Sequence, residues 1–151
     1  MFHFLKKNSY LKDIIPSNYV DIHSHLLPGI DDGAVTIEDT LLLISELRKI
    51  GFQQFITTPH IYTTVWDNTK DLIERKHKET ILSLPQDTSL RFAAEYMIDP
   101  YFATLFQNES LATLKENYVL VELSYINPPI QLYDILFELQ IAGYRPILAH
   151  P

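Results

Sequence analysis

Five short apolar segments, residues 19–23, 52–57, 90–96, 118–123 and 145–149, alternate with stretches of helical periodicity, and this alternation restricts the fold more than any other feature. A strand repeatedly followed by a helix calls for parallel strands joined by right-handed crossovers. The helix starts are written locally. Thr36 with Asp39 makes a capping box for a helix over 37 to about 50, where Ile37, Leu41, Ile44 and Leu47 keep helical spacing and Gly51 follows as the C′ residue. Asn68 or Thr69 caps a second helix, which Pro85 stops after Leu84. Asp99-Pro100 pairs a cap with a proline at the first helical position. Pro128-Pro129 opens a long amphipathic helix that runs through Ala142 and is closed by Gly143. Residues 1–18 mix Phe2, Phe4, Leu5, Leu11, Ile14 and Ile15 with Lys6, Lys7 and Lys12, and read as a lead-in over the base of one domain spanning 19–151.

The residues that carry chemistry fall where these strands end. Asp-Ile-His-Ser-His over 21–25 places His23 and His25 two apart, so in an extended chain both imidazoles face one side and grip one ion. Pro28, Gly29 and Gly33 then turn the chain and bring Asp31 and Asp32 back as oxygen donors. His60 follows the second strand, Glu95 stands at the far end of the third, Glu122 near the end of the fourth and His150 just past the fifth. In a β/α barrel those ends converge on one mouth. A carboxylate closing an apolar strand is costly to bury unless cations pair with it, which fits Glu95 and Glu122 to such a cluster. His3 lies in the lead-in and has no role, and His77, one turn from Ile73 and Ile81, reads as a packing residue.

Composition removes other chemistries. The chain has no cysteine, which excludes disulfides, thiolate-bound metals and thiol nucleophiles. A net charge of -7 leaves no cationic stripe for a phosphate backbone, so nucleic acid is not an expected partner. No apolar run approaches the ~20 residues of a membrane span, and the start lacks the apolar core of a signal peptide. A cytoplasmic location without stable membrane insertion is the expectation.

Together the His-Ser-His of strand one, Asp-Asp-Gly after the turn, Thr-Pro-His after strand two, the strand-three glutamate, Val-Glu-Leu-Ser in strand four and Ala-His-Pro after strand five resemble the PHP (polymerase and histidinol phosphatase) superfamily. The wording Leu-Leu-Pro-Gly-Ile-Asp-Asp-Gly-Ala and the ending Gly-Tyr-Arg-Pro-Ile-Leu-Ala-His-Pro resemble its bacterial tyrosine-protein phosphatase branch, the capsular and exopolysaccharide regulators of the CpsB/YwqE type. The resemblance implies a distorted, TIM-like α/β barrel, here its N-terminal portion with about five parallel strands. It also implies three divalent ions: one on His23, His25 and Glu95, a second shared through Glu95 with Glu122 and His150, and a third on Asp32 and His60, with Asp31 hydrogen-bonding behind them. Glu95, His60 and Asp32 take the catalytic positions. Complete barrels of this type need ~250 residues, so the chain is expected to be C-terminally incomplete, lacking an arginine that resembles a phosphate clamp and a late Asp-x-His pair.

His, Asp and Glu donors suit Mn2+, Fe2+ or Zn2+, and the resemblance favours manganese. Water bridging such ions falls in pKa from 15.7 toward ~7, which makes hydroxide available for in-line attack on phosphorus. A tyrosine leaving group with pKa near ~10 needs little protonation. The reading is therefore a metal-dependent protein-tyrosine phosphatase, with the tyrosine-rich tail of a polysaccharide-synthesis kinase as the substrate that the resemblance implies. Two alternatives stand beside it: a truncated metal-binding remnant with weak or no activity, and a phosphatase of small phosphomonoesters such as histidinol phosphate. Open barrel edges at strands one and five predict self-association, or a chain that is part of a longer polypeptide.

Overall fold

The computed structural model describes residues 10–16 and 18–151. Much of the expected lead-in, His3 included, lies outside the described residues; within the rest, Leu11–Asp13 forms a 3-10 turn. The strands are β1 (Val20–Asp21), β2 (Gln54–Thr57), β3 (His60–Ile61), β4 (Ser89–Phe92), β5 (Glu95–Met97), β6 (Tyr118–Glu122) and β7 (Arg145–Leu148). The helices are α1 (Ile37–Lys49), α2 (Lys70–Ile81), α3 (Pro100–Asn108) and α4 (Leu132–Ile141). All pairings between strands are parallel, in two sheets of order β1-β2-β4 and β3-β5-β6-β7.

Among the described residues the strands thus number seven rather than about five, because one expected strand is broken in two and another is followed by a further short strand. The expected strand 90–96 is β4 and β5, separated at Ala93 and Ala94, and a short β3 follows β2 after Thr58 and Pro59. Pro59 has no N–H to give to a ladder, so regular pairing stops there. The amides of Ala93 and Glu95 donate instead to the carbonyls of Thr57 and Pro59, at 2.9 and 3.0 Å, and carry the two strands across the bend side by side. Glu95 consequently opens β5 rather than closing a longer strand, and His60 opens β3 in register with it.

Side-chain alternation survives the break and sorts the apolar residues into two layers. Phe55, Leu90, Tyr96, Val119 and Val121 face the helices, in a core completed by Ile44, Ile73, Phe102 and Leu139. Each such buried side chain contributes ~1.5–3 kcal/mol. Ile56, Ala93, Leu120 and Ala149 face the other way and form a small inner cluster. Glu95 and Glu122 share the parity of Ala93 and Leu120, so both carboxylates lie on the inner face directly above this plug.

The helix caps fall where local chemistry puts them. Thr36 accepts the Asp39 amide while Asp39 accepts the Thr36 amide, Thr69 caps α2, and Asp99 caps α3 with Pro100 at its start. α4 begins at Leu132, later than the Pro128-Pro129 pair suggests, because a residue preceding proline is pushed away from the helical region. The Pro129 carbonyl accepts the Leu132 amide instead. No helix among the described residues is long and apolar enough to cross a membrane.

Candidate metal centre

The chain after β1 leaves the sheet and is pinned where its histidines are needed. Thr57, the last residue of β2, accepts the Leu26 amide and donates to the Ser24 carbonyl, both at 2.9 Å, and the Thr58 amide donates to the same carbonyl at 2.7 Å. Thr40 on α1 donates to the Leu26 carbonyl at 2.8 Å. The segment carrying His23 and His25 is therefore clamped from both sides by buried hydroxyls. Asn68, the residue before the α2 cap, donates to the carbonyls of Ile30 and His60 at 2.9 and 2.8 Å and ties the aspartate loop to β3.

Gly33 is where this loop passes against His25. A Cβ built there would stand 2.3 Å from both the Cβ and the carbonyl oxygen of His25. No rotamer relieves a clash with backbone, so Gly33→Ala must push the loop and His25 apart. The expected outcome is a tenfold or greater loss of affinity, about the scale of a lost supporting contact, for a divalent ion titrated calorimetrically. Unchanged affinity would show that this approach is not needed.

Glu95 is the hub. Its side chain is wholly buried, and His23 Nε2 at 3.0 Å, His25 Nε2 at 3.2 Å and His60 Nδ1 at 3.5 Å surround Oε2, while His150 Nε2 lies 3.3 Å from Oε1. His60 Nδ1 is also 2.9 Å from Glu122 Oε1, and its Nε2 is 3.6 Å from Asp32 Oδ1. The donor atoms of His23, His25 and Glu95, of His25, Asp32 and His60, and of His60, Glu95 and Glu122 each lie within 4.8 Å of one another. The expected second trio pairs Glu95 and Glu122 with His150; here His60 stands closer to Glu122, and His150 flanks Glu95 from the rim, its side chain half exposed and its ring centroid 4.8 Å from that of His23.

The adjacent aspartates have separate surroundings. The Asp31 side chain is fully buried; Oδ1 accepts the Gly33 amide at 3.0 Å, and Oδ2 accepts the His60 amide at 3.1 Å and lies 2.7 Å from His25 Nδ1. Both of its oxygens are engaged within the protein. Asp32 is 63% exposed, with an oxygen turned toward His25 and His60. Spacing alone left the pair undivided; geometry gives Asp31 the supporting place and Asp32 the open one.

Burial alone would push His25 toward the neutral form, but its bonds to Asp31 and Glu95 outweigh that and raise its pKa to about 10. Burial likewise opposes ionisation of Glu95, yet His23 and His25 hold it well below the usual carboxylate range. Asp31 is lowered by His25 against its own burial, and His60 is raised by Glu122 against its own. An ion binding at His25 must displace a proton held up to about pH 10, whereas Glu95 has none to lose. Affinity for divalent ions is expected to strengthen as pH rises toward that value. Calorimetry in buffers of different ionisation enthalpy should show about one proton released per ion bound at His25 near neutrality; no release would contradict the assignment.

The donor set fits divalent ions of the Mn, Fe and Zn kind, which accept imidazole and carboxylate together. Buried polar atoms inside the cluster point the same way: among the described residues Glu95 Oε1 and His60 Nδ1 have no well-aligned hydrogen bond, although His150 Nε2 and Glu122 Oε1 stand close to them. The remaining expectations resolve by position. His77 Nε2 meets the Leu90 carbonyl at 2.9 Å and its ring packs on Phe92, away from the centre. Arg48 bonds Thr88, Arg91 bonds the Leu114 carbonyl and Arg145 lies over the Tyr118 ring, so these cations belong to the outside and base of the fold.

A family model described as capsular polysaccharide synthesis, CpsB/CapC, matches residues 19–151. The chain belongs to the CpsB/CapC family. Among curated relatives, the tyrosine-protein phosphatase YwqE of Bacillus subtilis is 29% identical over 141 residues, covering 87% of this chain and 54% of that protein. The putative tyrosine-protein phosphatase CapC of Staphylococcus aureus is 28% identical over 138 residues, covering 87% and 53%. A solved chain from the crystal structures of YwqE from Bacillus subtilis and CpsB from Streptococcus pneumoniae, described as unique metal-dependent tyrosine phosphatases, matches with a TM-score of 0.72 at 25% identity, over 88% of this chain and 56% of that one. The CpsB/CapC chain described here thus spans about half the length of the curated relatives it matches.

Proposed function

We propose that this CpsB/CapC chain carries the metal centre of a phosphomonoester hydrolase acting on phosphotyrosine in proteins. The observation that carries the reading is Glu95, a wholly buried carboxylate met by four histidines from three segments of the chain. His23, His25 and Glu95 would hold one divalent ion, Glu95 and Glu122 with His60 or His150 a second, and Asp32 with His60 a third, with Glu95, His60 and Asp32 nearest the reacting phosphate. Manganese is the proposed metal, with Fe2+ and Zn2+ suited to the same donors. When bound, such ions supply Lewis acidity toward phosphoryl oxygens and lower the pKa of water.

The chain's own part is orientation and exclusion. Asp31 fixes His25 through Nδ1, which leaves Nε2 facing the centre. The plug of Ile56, Ala93, Leu120 and Ala149 closes the inner face below the carboxylates against water. Phenolate departs with a pKa near ~10, so no strong acid is required beside it. The absence of cysteine agrees with a reaction that needs no thiol nucleophile.

Release of inorganic phosphate from a phosphotyrosine peptide by manganese-loaded protein, abolished by chelator, is the expected result, with phosphoserine peptide and histidinol phosphate turned over more slowly. Faster turnover of histidinol phosphate would move the reading to small phosphomonoesters. A second reading, a metal-binding chain with weak turnover, is favoured by the placement of Arg48, Arg91 and Arg145 away from the mouth. Stoichiometric metal binding without phosphate release would select it.

A tyrosine-rich kinase tail as substrate and a cytoplasmic setting belong to the same proposal. So does self-association: β1 and β7 are sheet edges, and α4 exposes Tyr133, Phe137 and Ile141 beside β7. A concentration-dependent mass in light scattering supports it; a monomer at every concentration opposes it.

A further inference from the structure

The inner face of the strands is layered, and one layer lies above the metal centre. His60, Glu95 and Glu122 are each followed two residues later by a side chain of the same parity: Tyr62, Met97 and Ser124. Met97 pairs in register with Glu122, and the Ile98 amide donates to the Glu122 carbonyl at 3.0 Å, so this layer is continuous with the carboxylates. Tyr62, Met97 and Ser124 line a cleft of about 380 Å3 that is also lined by the residues after β5 and by the 127–131 turn, Pro129 and Ile130 included.

The chemistry of this cleft differs from that of the centre below it. Among the described residues no lysine or arginine lines it, and its acidic residue, Asp99, is engaged in capping α3 through the Phe102 amide at 2.7 Å. A dianionic phosphate gains nothing there. An aromatic ring gains a thioether from Met97 and a ring partner from Tyr62. Asn127 and Gln131 add side-chain amides suited to the backbone of an extended peptide.

We propose that this cleft is the leaving-group subsite, taking the tyrosine ring and adjacent peptide backbone while the phosphate sits on the metal centre. The proposal rests on the phosphotyrosine reading above and deepens it, since it places selectivity for aryl over alkyl phosphates in Tyr62, Met97 and the 127–131 turn. Ile130 is 97% exposed and lies in no core, so its substitution changes the cleft without endangering the fold.

The test is equilibrium binding, which needs no turnover. A fluorescein-labelled peptide with one unphosphorylated tyrosine among alanines is compared with the same peptide carrying alanine in its place, on manganese-loaded protein. The tyrosine peptide is expected to bind about tenfold more tightly, a difference of about 1.4 kcal/mol. Ile130→Asp or Met97→Ala should remove that preference while calorimetric affinity for manganese stays the same. No preference in the unaltered protein, or a preference kept in both variants, overturns the proposal. If Met97→Ala does not fold, Ile130→Asp decides alone. Ring preference without phosphate release would sink the phosphatase reading and leave the subsite standing; phosphate release without ring preference would do the reverse.

Discussion

Glu95→Gln is expected to lower the affinity of the protein for divalent ions by more than about a hundredfold, beyond the 10–100-fold range typical of lost supporting contacts. The substitution keeps the shape and removes the charge that His23, His25, His60 and His150 all face. Glu95 is wholly buried, so water does not replace what is lost, and two of the three candidate donor groups include it. Metal-free protein should also lose stability, because the lowered pKa of Glu95 reports favourable interaction with its histidines in the folded state. The sign follows from that direction: the contribution is present above the unfolded carboxylate pKa and lost as pH falls through the lowered one. Melting curves of the unaltered protein and of Glu95→Gln should differ at neutral pH, and manganese should raise only the former. A variant that still binds manganese normally would show that the histidines bind without it.

The second large effect separates the adjacent aspartates. Asp31→Ala leaves the Gly33 amide, the His60 amide and His25 Nδ1 without their acceptor, each a largely buried group whose loss costs up to about 1–3 kcal/mol. Destabilisation of a few kcal/mol and a roughly 10–100-fold drop in metal affinity are expected together. Asp32→Ala removes an exposed carboxylate with no such bonds, so denaturation of metal-free protein should shift by less than about 0.5 kcal/mol, while metal affinity still falls. Equal destabilisation by both substitutions would contradict the division of roles.

The residues gathered at the centre were legible because their chemistry is local to each strand end. His-x-His, Asp-Asp-Gly, Thr-Pro-His and the paired strand glutamates announce donors one segment at a time, and parallel topology brings the segments together. Helix starts at Thr36, Thr69 and Asp99 were legible for the same reason, since a cap is satisfied within three residues. The break between β4 and β5 was not. Ala93 and Ala94 preserve alternation through it, and its cause, Pro59, lies on the neighbouring strand.

The supports of the site were hidden by distance along the chain. Thr57 reaches Leu26 and Ser24 across 31 and 33 positions, and Asn68 reaches Ile30 across 38. A hydroxyl or amide at such a position looks like any other polar residue until the fold supplies its partner. Asn68 looked like a possible cap, and Thr69 took that place while Asn68 turned toward His60. Gly33 was visible as a turn residue, but its closeness to His25 was not. Asp31 and Asp32 differ only in which one the loop buries.

Anomalous diffraction at the manganese edge, from crystals grown with that ion, tests whether Glu95 is the hub of a metal centre. That placement requires peaks within about 2.0–2.5 Å of donor atoms on Glu95, with His23 and His25 on one side and Glu122 on the other. Peaks elsewhere on the molecule, with none touching Glu95, would contradict it.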